Sequence, residues 1–245
     1  TLYEAEKLMR ERNYFAAMMV VVGDADAMLS GYSRAYPTVL KPILEIIGKE
    51  EGVTKVAATN LMNTAKGPIF ISDTSINIDP NAEELARIAQ MTAYTVKMFG
   101  VDPVVAMVSY SNFGTSSNPQ ARKIKDAVDI LHREYPELKV DGELQVDFAL
   151  NRKMRHNKFP FSKLKDKKVN TLIYPNLDAA NGTYKLLKEL NTADSIGPIL
   201  MGLEKPAHVF QLGASVEEMV NMSAVAAIDA QQKAKRKSSL KNTFK

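Results

Sequence analysis

Residues 69–110 read IFISDTSINIDPNAEELARIAQMTAYTVKMFGVDPVVAMVSY, and this stretch decides the fold class. Ile69–Asp73 is a short apolar run closed by an aspartate, the pattern of a buried strand. Asp79-Pro80 reads as a helix start, with an aspartate cap and a proline in the first turn. Leu85, Ile88, Ala89, Thr92, Val96 and Phe99 then recur at three- and four-residue spacing, one face of a helix that stops at Gly100. Val104–Tyr110 is a second apolar run. Strand, helix and strand in that order build a layered α/β fold around a mostly parallel sheet.

The same alternation extends in both directions. Further strands are expected at Ala27–Ser30, Val53–Thr59, Asn170–Pro175 and Ile196–Leu203. Further helices are expected at Tyr36–Ile47, Pro119–Tyr135, about Ala180 to Leu190, and from Ser215 to about Lys235. Ile124, Ala127, Val128 and Leu131 form the stripe of the second of these. Pro42 fits the first only near its opening turn or in a kink. Asn151–Lys168 carries eight Lys and Arg around Phe159-Pro160-Phe161 and reads as a solvated surface loop, whose charge could also steer an anionic ligand.

The chain has 245 residues, 45% hydrophobic and 24% charged, the proportions of a globular protein and not of a disordered one. It has no cysteine, which excludes disulfides, thiolate metal sites and cysteine nucleophiles. Phe15–Val22, the longest apolar run, is far short of the roughly 20 residues of a membrane span. The polar start Thr1-Leu-Tyr-Glu-Ala-Glu-Lys is unlike a signal peptide, so neither a membrane nor export is expected and the cytoplasm is the default location. The net charge of +4 is local: Lys233, Lys235, Arg236, Lys237, Lys241 and Lys245 sit in a stretch without acids, and without them 26 basic residues face 28 acidic ones. That stretch reads as a solvated, frayed helix end with cations suited to a helix C-terminus, and no nucleic-acid partner is expected. His132, His156 and His208 are far apart and lack metal-ligand spacing, and no phosphate-loop, dinucleotide or nucleophile-elbow motif occurs. Residue patterns alone therefore reach an α/β globular domain and no further.

Four segments carry a family resemblance. They are Tyr14-Phe15-Ala-Ala-Met-Met-Val with Gly23-Asp-Ala-Asp-Ala-Met-Leu-Ser-Gly31; Ile71-Ser-Asp-Thr-Ser-Ile-Asn-Ile-Asp-Pro80 with Ala82-Glu-Glu-Leu-Ala86; Val140-Asp-Gly-Glu-Leu-Gln-Val-Asp147; and Ile196-Gly-Pro-Ile-Leu-Met-Gly-Leu-Glu-Lys-Pro206. Through them the chain resembles the phosphate acetyl/butyryl-transferase family along almost its whole length. Ser109-Tyr-Ser-Asn-Phe-Gly114 and Val209-Phe-Gln-Leu-Gly213 look most like the transacetylase-like domain at the C-terminus of hybrid NADP-dependent malic enzymes. The resemblance implies two α/β/α subdomains with an inter-domain cleft, isocitrate/isopropylmalate dehydrogenase-like, with residues 1–50 and 192–245 in the first and 51–191 in the second. It also implies that the first subdomain has a further N-terminal part that this chain lacks.

The family reaction moves an acyl group between phosphate and the thiol of coenzyme A. The thiol must lose its proton to attack, the tetrahedral intermediate needs hydrogen-bond donors, and the departing phosphate suits a guanidinium fork. The family uses a Ser-Arg pair before a Gly, with an Asp seven positions after the Ser. Carried onto this chain, those places fall at Gln211, Leu212 and Glu218. Gln211 keeps donors, Leu212 cannot hold phosphate, and Glu218 keeps a carboxylate on a longer arm. A family arginine before a proline falls at Lys41, and another falls at Glu189. Independently of the family, Ser215-Val-Glu-Glu218 fits a capping box, which would occupy Glu218 at a helix start. Asp73 and Asp79 read as strand-end and helix-cap residues, and Asp24 and Asp26 as part of a turn.

Three functions follow from the resemblance. The first is a non-catalytic regulatory module that binds acetyl-CoA or CoA through Lys41, Gln211 and Glu218 and holds no covalent cofactor. It would inhibit a malic-enzyme catalytic domain on the same polypeptide, where NADP and a divalent metal reside and malate becomes pyruvate and CO2. The second is an active phosphate acetyl/butyryltransferase. The third is a scaffold that only oligomerises the enzyme. The family forms homo-oligomers through its second subdomain, and the same is expected here.

Overall fold

A computed structural model describes residues 1–190 and 192–243, with side chains to residue 236. The chain divides into two units, Thr1–Val56 with Ile196–Lys245, and Ala57–Ser195. The fold is α/β throughout.

The second unit is built on a mixed sheet in the order β5-β4-β6-β3-β2-β7. Its strands are β2 (Ala57–Thr64), β3 (Gly67–Ser72), β4 (Val104–Val108), β5 (Lys139–Leu144), β6 (Thr171–Ile173) and β7 (Ala193–Met201), the last of which carries the chain out of the unit. The pairs β4–β5, β4–β6 and β3–β6 are parallel. β2 and β3 form an antiparallel hairpin, in register from Thr59↔Ser72 to Thr64↔Gly67. The expected strand at Val53–Thr59 therefore lies later, because Val53 is held in a turn by its amide bond to the Glu50 carbonyl (3.0 Å).

Helix α4 (Ala82–Met98) buries Leu85, Ile88, Ala89, Thr92 and Val96, the stripe read from the sequence. Its cap is Asn81, not Asp79. Asn81 Oδ1 accepts the Glu84 amide (2.9 Å) and Glu84 Oε2 accepts the Asn81 amide (3.0 Å). Pro80 thus precedes the cap, and Asp79 instead receives Lys123 Nζ at 2.6 Å. Asn118 and Pro119 open α5 (Pro119–Glu134), which buries Ala121, Ile124, Ala127, Val128 and Leu131. Asn176 caps α8 (Leu177–Glu189), three residues before the expected start.

The basic stretch 151–168 is mostly exposed, as expected of a solvated surface segment, but it is not a loop throughout and it buries Arg155, Phe159, Ser162 and Leu164. It follows α6 (Val146–Leu150) and contains α7 (Arg152–Lys158). Arg155 is wholly buried, with its guanidinium donating to the carbonyls of Leu164 (3.0 Å), Phe148 (2.8 Å), Ala149 and Lys167. A guanidinium presents five donors in a fixed fork, so one side chain ties the end of α6 to the loop at residues 164–167. Desolvation pulls its pKa below the usual value.

The first unit holds α1 (Leu2–Leu8), α2 (Arg12–Val22), β1 (Met28–Ser30), α3 (Tyr36–Pro42), β8 (Ala207–Val209) and α9 (Val216–Thr243). β1 and β8 pair in parallel, Met28↔Ala207 to Ser30↔Val209. Pro42 has no amide hydrogen to continue the α-helical ladder. The chain widens there into a π turn over Ile43–Ile47, closed by the Gly48 amide on the Ile43 carbonyl (3.1 Å). α9 runs eight residues past its expected end at Lys235. Lys233 is not a solvated cation: its Nζ donates to the Leu203 carbonyl (2.7 Å) and pairs with Glu50. The side chains of Lys237, Lys241 and Lys245 lie outside the described residues. Among the described residues no helix is long and apolar enough to cross a membrane.

Candidate functional site

In the first unit the ends of β1 and β8 are pinned together. The Phe210 amide donates to the Ser30 carbonyl at 2.7 Å. Gly31 follows with φ +121°, and a Cβ there would lie 2.4 Å from the Phe210 oxygen. Only glycine allows that approach. The approach fixes where the loop Gln211–Ala214 leaves the sheet. The loop turns through Gly213 (φ +75°), and the Ala214 amide donates to the Gln211 carbonyl at 3.2 Å. α9 then begins with a complete capping box: Ser215 Oγ accepts the Glu218 amide (3.1 Å), and Glu218 Oε2 accepts the Ser215 amide (2.7 Å).

The junction thus gathers Gln211, Leu212 and Glu218. Gln211 is half-buried, while Leu212 is 67% exposed. Val216 and Val220, four residues apart in the first turns of α9, are also exposed. A helix N-terminus attracts anions through its free amides and the macrodipole. Here Glu217 and Glu218 fill that first turn, so its positive end is already matched by carboxylates. Lys41 is exposed on α3, which packs against β8. Its ammonium lies 3.8 Å from Glu45 Oε1, and the other Glu45 oxygen accepts the Tyr14 hydroxyl. Glu189 is exposed at the end of α8 in the other unit.

A polar cluster in the first unit lay outside any motif. His208 on β8 is 1% exposed, and its Nδ1 accepts the Leu200 amide (3.2 Å). That bond places the ring proton on Nε2, which faces Asp229 Oδ2 of α9 at 3.5 Å. Burial lowers the His208 pKa to about 4 and raises that of Asp229 to about 6.

In the second unit the loops at the C-terminal ends of the parallel strands are rich in polar contacts, the edge where open α/β sheets place ligands. Asp73 Oδ1 and Oδ2 accept the amides of Ala58 (3.2 Å), Ser75 (3.0 Å), Ile76 (3.2 Å) and Asn77 (3.0 Å). Desolvation nevertheless pushes its pKa up. Asp73 thus acts as a strand-end clamp. Glu143, 1% exposed, accepts Ser111 Oγ (2.7 Å) and the Gly114 amide (2.9 Å) and shapes the loop that holds Phe113 at φ 46°. Sequence reasoning missed Glu143, Arg155 and the His208–Asp229 pair, because nothing in a local pattern marks a charged residue that is satisfied from afar. Among the described residues no three His, Asp or Glu side chains gather as a metal site.

Comparisons with known proteins show the family and the fold. A family model described as phosphate acetyl/butaryl transferase matches residues 1–227. The NADP-dependent malic enzyme of Haemophilus influenzae is 40% identical over 229 residues, 93% of this chain but 30% of that protein. The phosphate acetyltransferase of Bacillus subtilis is 35% identical over 227 residues, 93% of this chain and 70% of that protein. The crystal structure of a phosphotransacetylase from Streptococcus pyogenes superposes with a TM-score of 0.88 at 38% identity, covering 96% of this chain and 71% of that one. The chain therefore spans about 30% of the malic enzymes it matches and between 33% and 70% of the phosphate acetyltransferases.

Proposed function

The chain belongs to the phosphate acetyl/butaryl transferase family, and on that premise we propose that it is the non-catalytic, acetyl-CoA-binding regulatory module of a hybrid NADP-dependent malic enzyme. The observation that carries this reading is Leu212, an exposed aliphatic side chain at the place where the family resemblance puts a phosphate-holding arginine. Removing a charged partner from a bound anion costs on the order of 2–5 kcal/mol. The neighbouring groups do not replace it. Lys41 faces Glu45, and Glu218 is engaged in capping its own helix.

Acyl transfer from an acyl phosphate to CoA forms the carbon–sulfur bond, breaks the carbon–oxygen bond to phosphate, and passes the thiol proton to a base. With no guanidinium at the Leu212 position for the departing phosphate and the Glu218 carboxylate engaged by the Ser215 amide, the thiol deprotonation and the phosphate departure lack their supports. Binding of a thioester needs none of them. Gln211 offers an amide to a carbonyl, and Leu212, Val216 and Val220 offer apolar surface.

A malic-enzyme catalytic domain on the same polypeptide, with its NADP and divalent metal, would receive the signal. Acetyl-CoA acts as a negative effector by binding two states of the assembly unequally, and the coupling is reciprocal. The homo-oligomer through the second unit and the isocitrate/isopropylmalate dehydrogenase-like arrangement belong to the same proposal. Calorimetric titration of the 245-residue chain with acetyl-CoA tests it. Saturable heat and a raised Tm are expected; the absence of both would leave a mere oligomerisation scaffold.

A further inference from the structure

The second unit carries a hollow of about 240 Å³ at the amino-terminal ends of its parallel strands, where β4 and β5 begin at Val104 and Lys139. Open α/β sheets place their ligands at the opposite, carboxyl ends, so this hollow is separate from the loops that hold Asp73 and Glu143. One wall is a face of α4, with Gln90, Tyr94 and Lys97 at three- and four-residue spacing. The other is the link from α5 into β5, with Tyr135, Glu137 and Leu138.

The second wall is held in place. Arg87 donates to the Tyr135 hydroxyl, pairs with Glu134 at 3.2 Å and lies 5.9 Å from the centre of the Tyr135 ring. Asp102 and Lys139, which also line the hollow, pair with each other, so their charges cancel. Lys97 and Glu137 remain. Among the described residues neither makes a hydrogen bond or an ion pair through its side chain, with the other or with any third group. The hollow therefore presents two tyrosine rings, one uncommitted cation from α4 and one uncommitted anion from the α5–β5 link.

A ligand that satisfies both walls carries one charge of each sign, and an aromatic body suits the two rings. Its size is bounded as well. Pockets for drug-sized ligands run to about 300–1,000 Å³, so this one is too small for coenzyme A or a dinucleotide. We propose that the hollow binds a free aromatic α-amino acid, with its carboxylate on Lys97, its ammonium on Glu137 and its ring against Tyr94 and Tyr135. The site shares no residue with Lys41, Gln211 or Glu218, and the proposal stands whether or not the domain binds a thioester.

NMR titration of the 245-residue chain, following the Leu138 and Lys139 amides, tests it with L-phenylalanine, 3-phenylpropionate and phenethylamine. L-Phenylalanine should shift both amides saturably, with a Kd on the order of 1 mM. 3-Phenylpropionate lacks the ammonium and phenethylamine lacks the carboxylate, so each should bind about fivefold more weakly. Lys97→Gln and Glu137→Gln, both at exposed positions, should each weaken L-phenylalanine about fivefold with Tm unchanged. Lys97→Gln should leave phenethylamine binding as in the parent. The proposal is overturned if L-phenylalanine gives no saturable shift at these amides, or if either truncated analogue binds as tightly as the amino acid. It is equally overturned if both substitutions leave L-phenylalanine binding as tight as in the parent.

Discussion

His208 Nε2 faces Asp229 Oδ2 at 3.5 Å inside the first unit, and burial drives the two pKa values in opposite directions, to about 4 and about 6. The neutral forms of both are the ones the fold favours. His208 therefore contributes stability above its unfolded value of 6.5, lost as pH falls towards 4. Asp229 contributes most below 3.8, and that contribution is lost as pH rises through about 6. Between these limits the two slopes oppose each other. Lys233 and Glu50 are the other charges beside the pair, and Lys233 holds the histidine down and the aspartate down together.

Asp229→Asn should accordingly raise Tm at pH 8, by an amount equivalent to at most about 2–3 kcal/mol. The gain should shrink through pH 6 and vanish near pH 4, and the acid side of the stability profile should steepen because His208 is left uncompensated. Thermal unfolding across pH 4–8 checks this; an Asn variant less stable than the parent at pH 8 contradicts it.

Arg155→Ala should destabilise the second unit by on the order of 3–5 kcal/mol, since it strands several carbonyls in a buried site. Arg155→Lys should recover little, because an ammonium cannot reproduce the fork. Urea unfolding of both variants measures the difference. A loss below about 1 kcal/mol would place Arg155 among ordinary surface cations.

Gly31→Ala should cost at least about 2 kcal/mol from its left-handed backbone alone. The added methyl, 2.4 Å from the Phe210 oxygen, must also push the β1 and β8 ends apart. Exchange of the Phe210 amide should speed up in step with the lost stability, and an unchanged Phe210 amide would refute this placement.

Ser215→Ala should cost about 1 kcal/mol by uncapping α9. Glu218→Gln keeps an oxygen for the Ser215 amide and should cost less than Glu218→Ala. A base would show no such hierarchy in activity, with Gln as damaging as Ala. Circular dichroism melts alongside acetyl-CoA titrations separate the two roles.

The α/β class and five of the helices were legible because their stripes lie at regular spacing, as in Leu85 to Val96 on α4. β5 escaped because Asp141 and Glu143 interrupt its apolar pattern, although both are buried. Asp141 is satisfied by Ser162 and Lys163, about twenty positions away, and no local window contains both ends of such a bond. β8 was hidden in the same way by His208, and Lys233 by Glu50, 183 positions earlier. The Ser215–Glu218 box was legible because both of its partners lie within one turn. At the candidate site, the residues standing at Gln211, Leu212 and Lys41 could be read, whereas the exposure of Leu212 needed coordinates.

The most direct measurement is the rate of phosphate-dependent acetyl transfer, followed as acetyl-CoA formed from acetyl phosphate and CoA, on the same preparation whose acetyl-CoA binding has been titrated. The account predicts saturable binding by the parent, and turnover at background in the parent and equally in Gln211→Ala and Glu218→Ala. Rapid, saturable turnover that either substitution abolishes would contradict it.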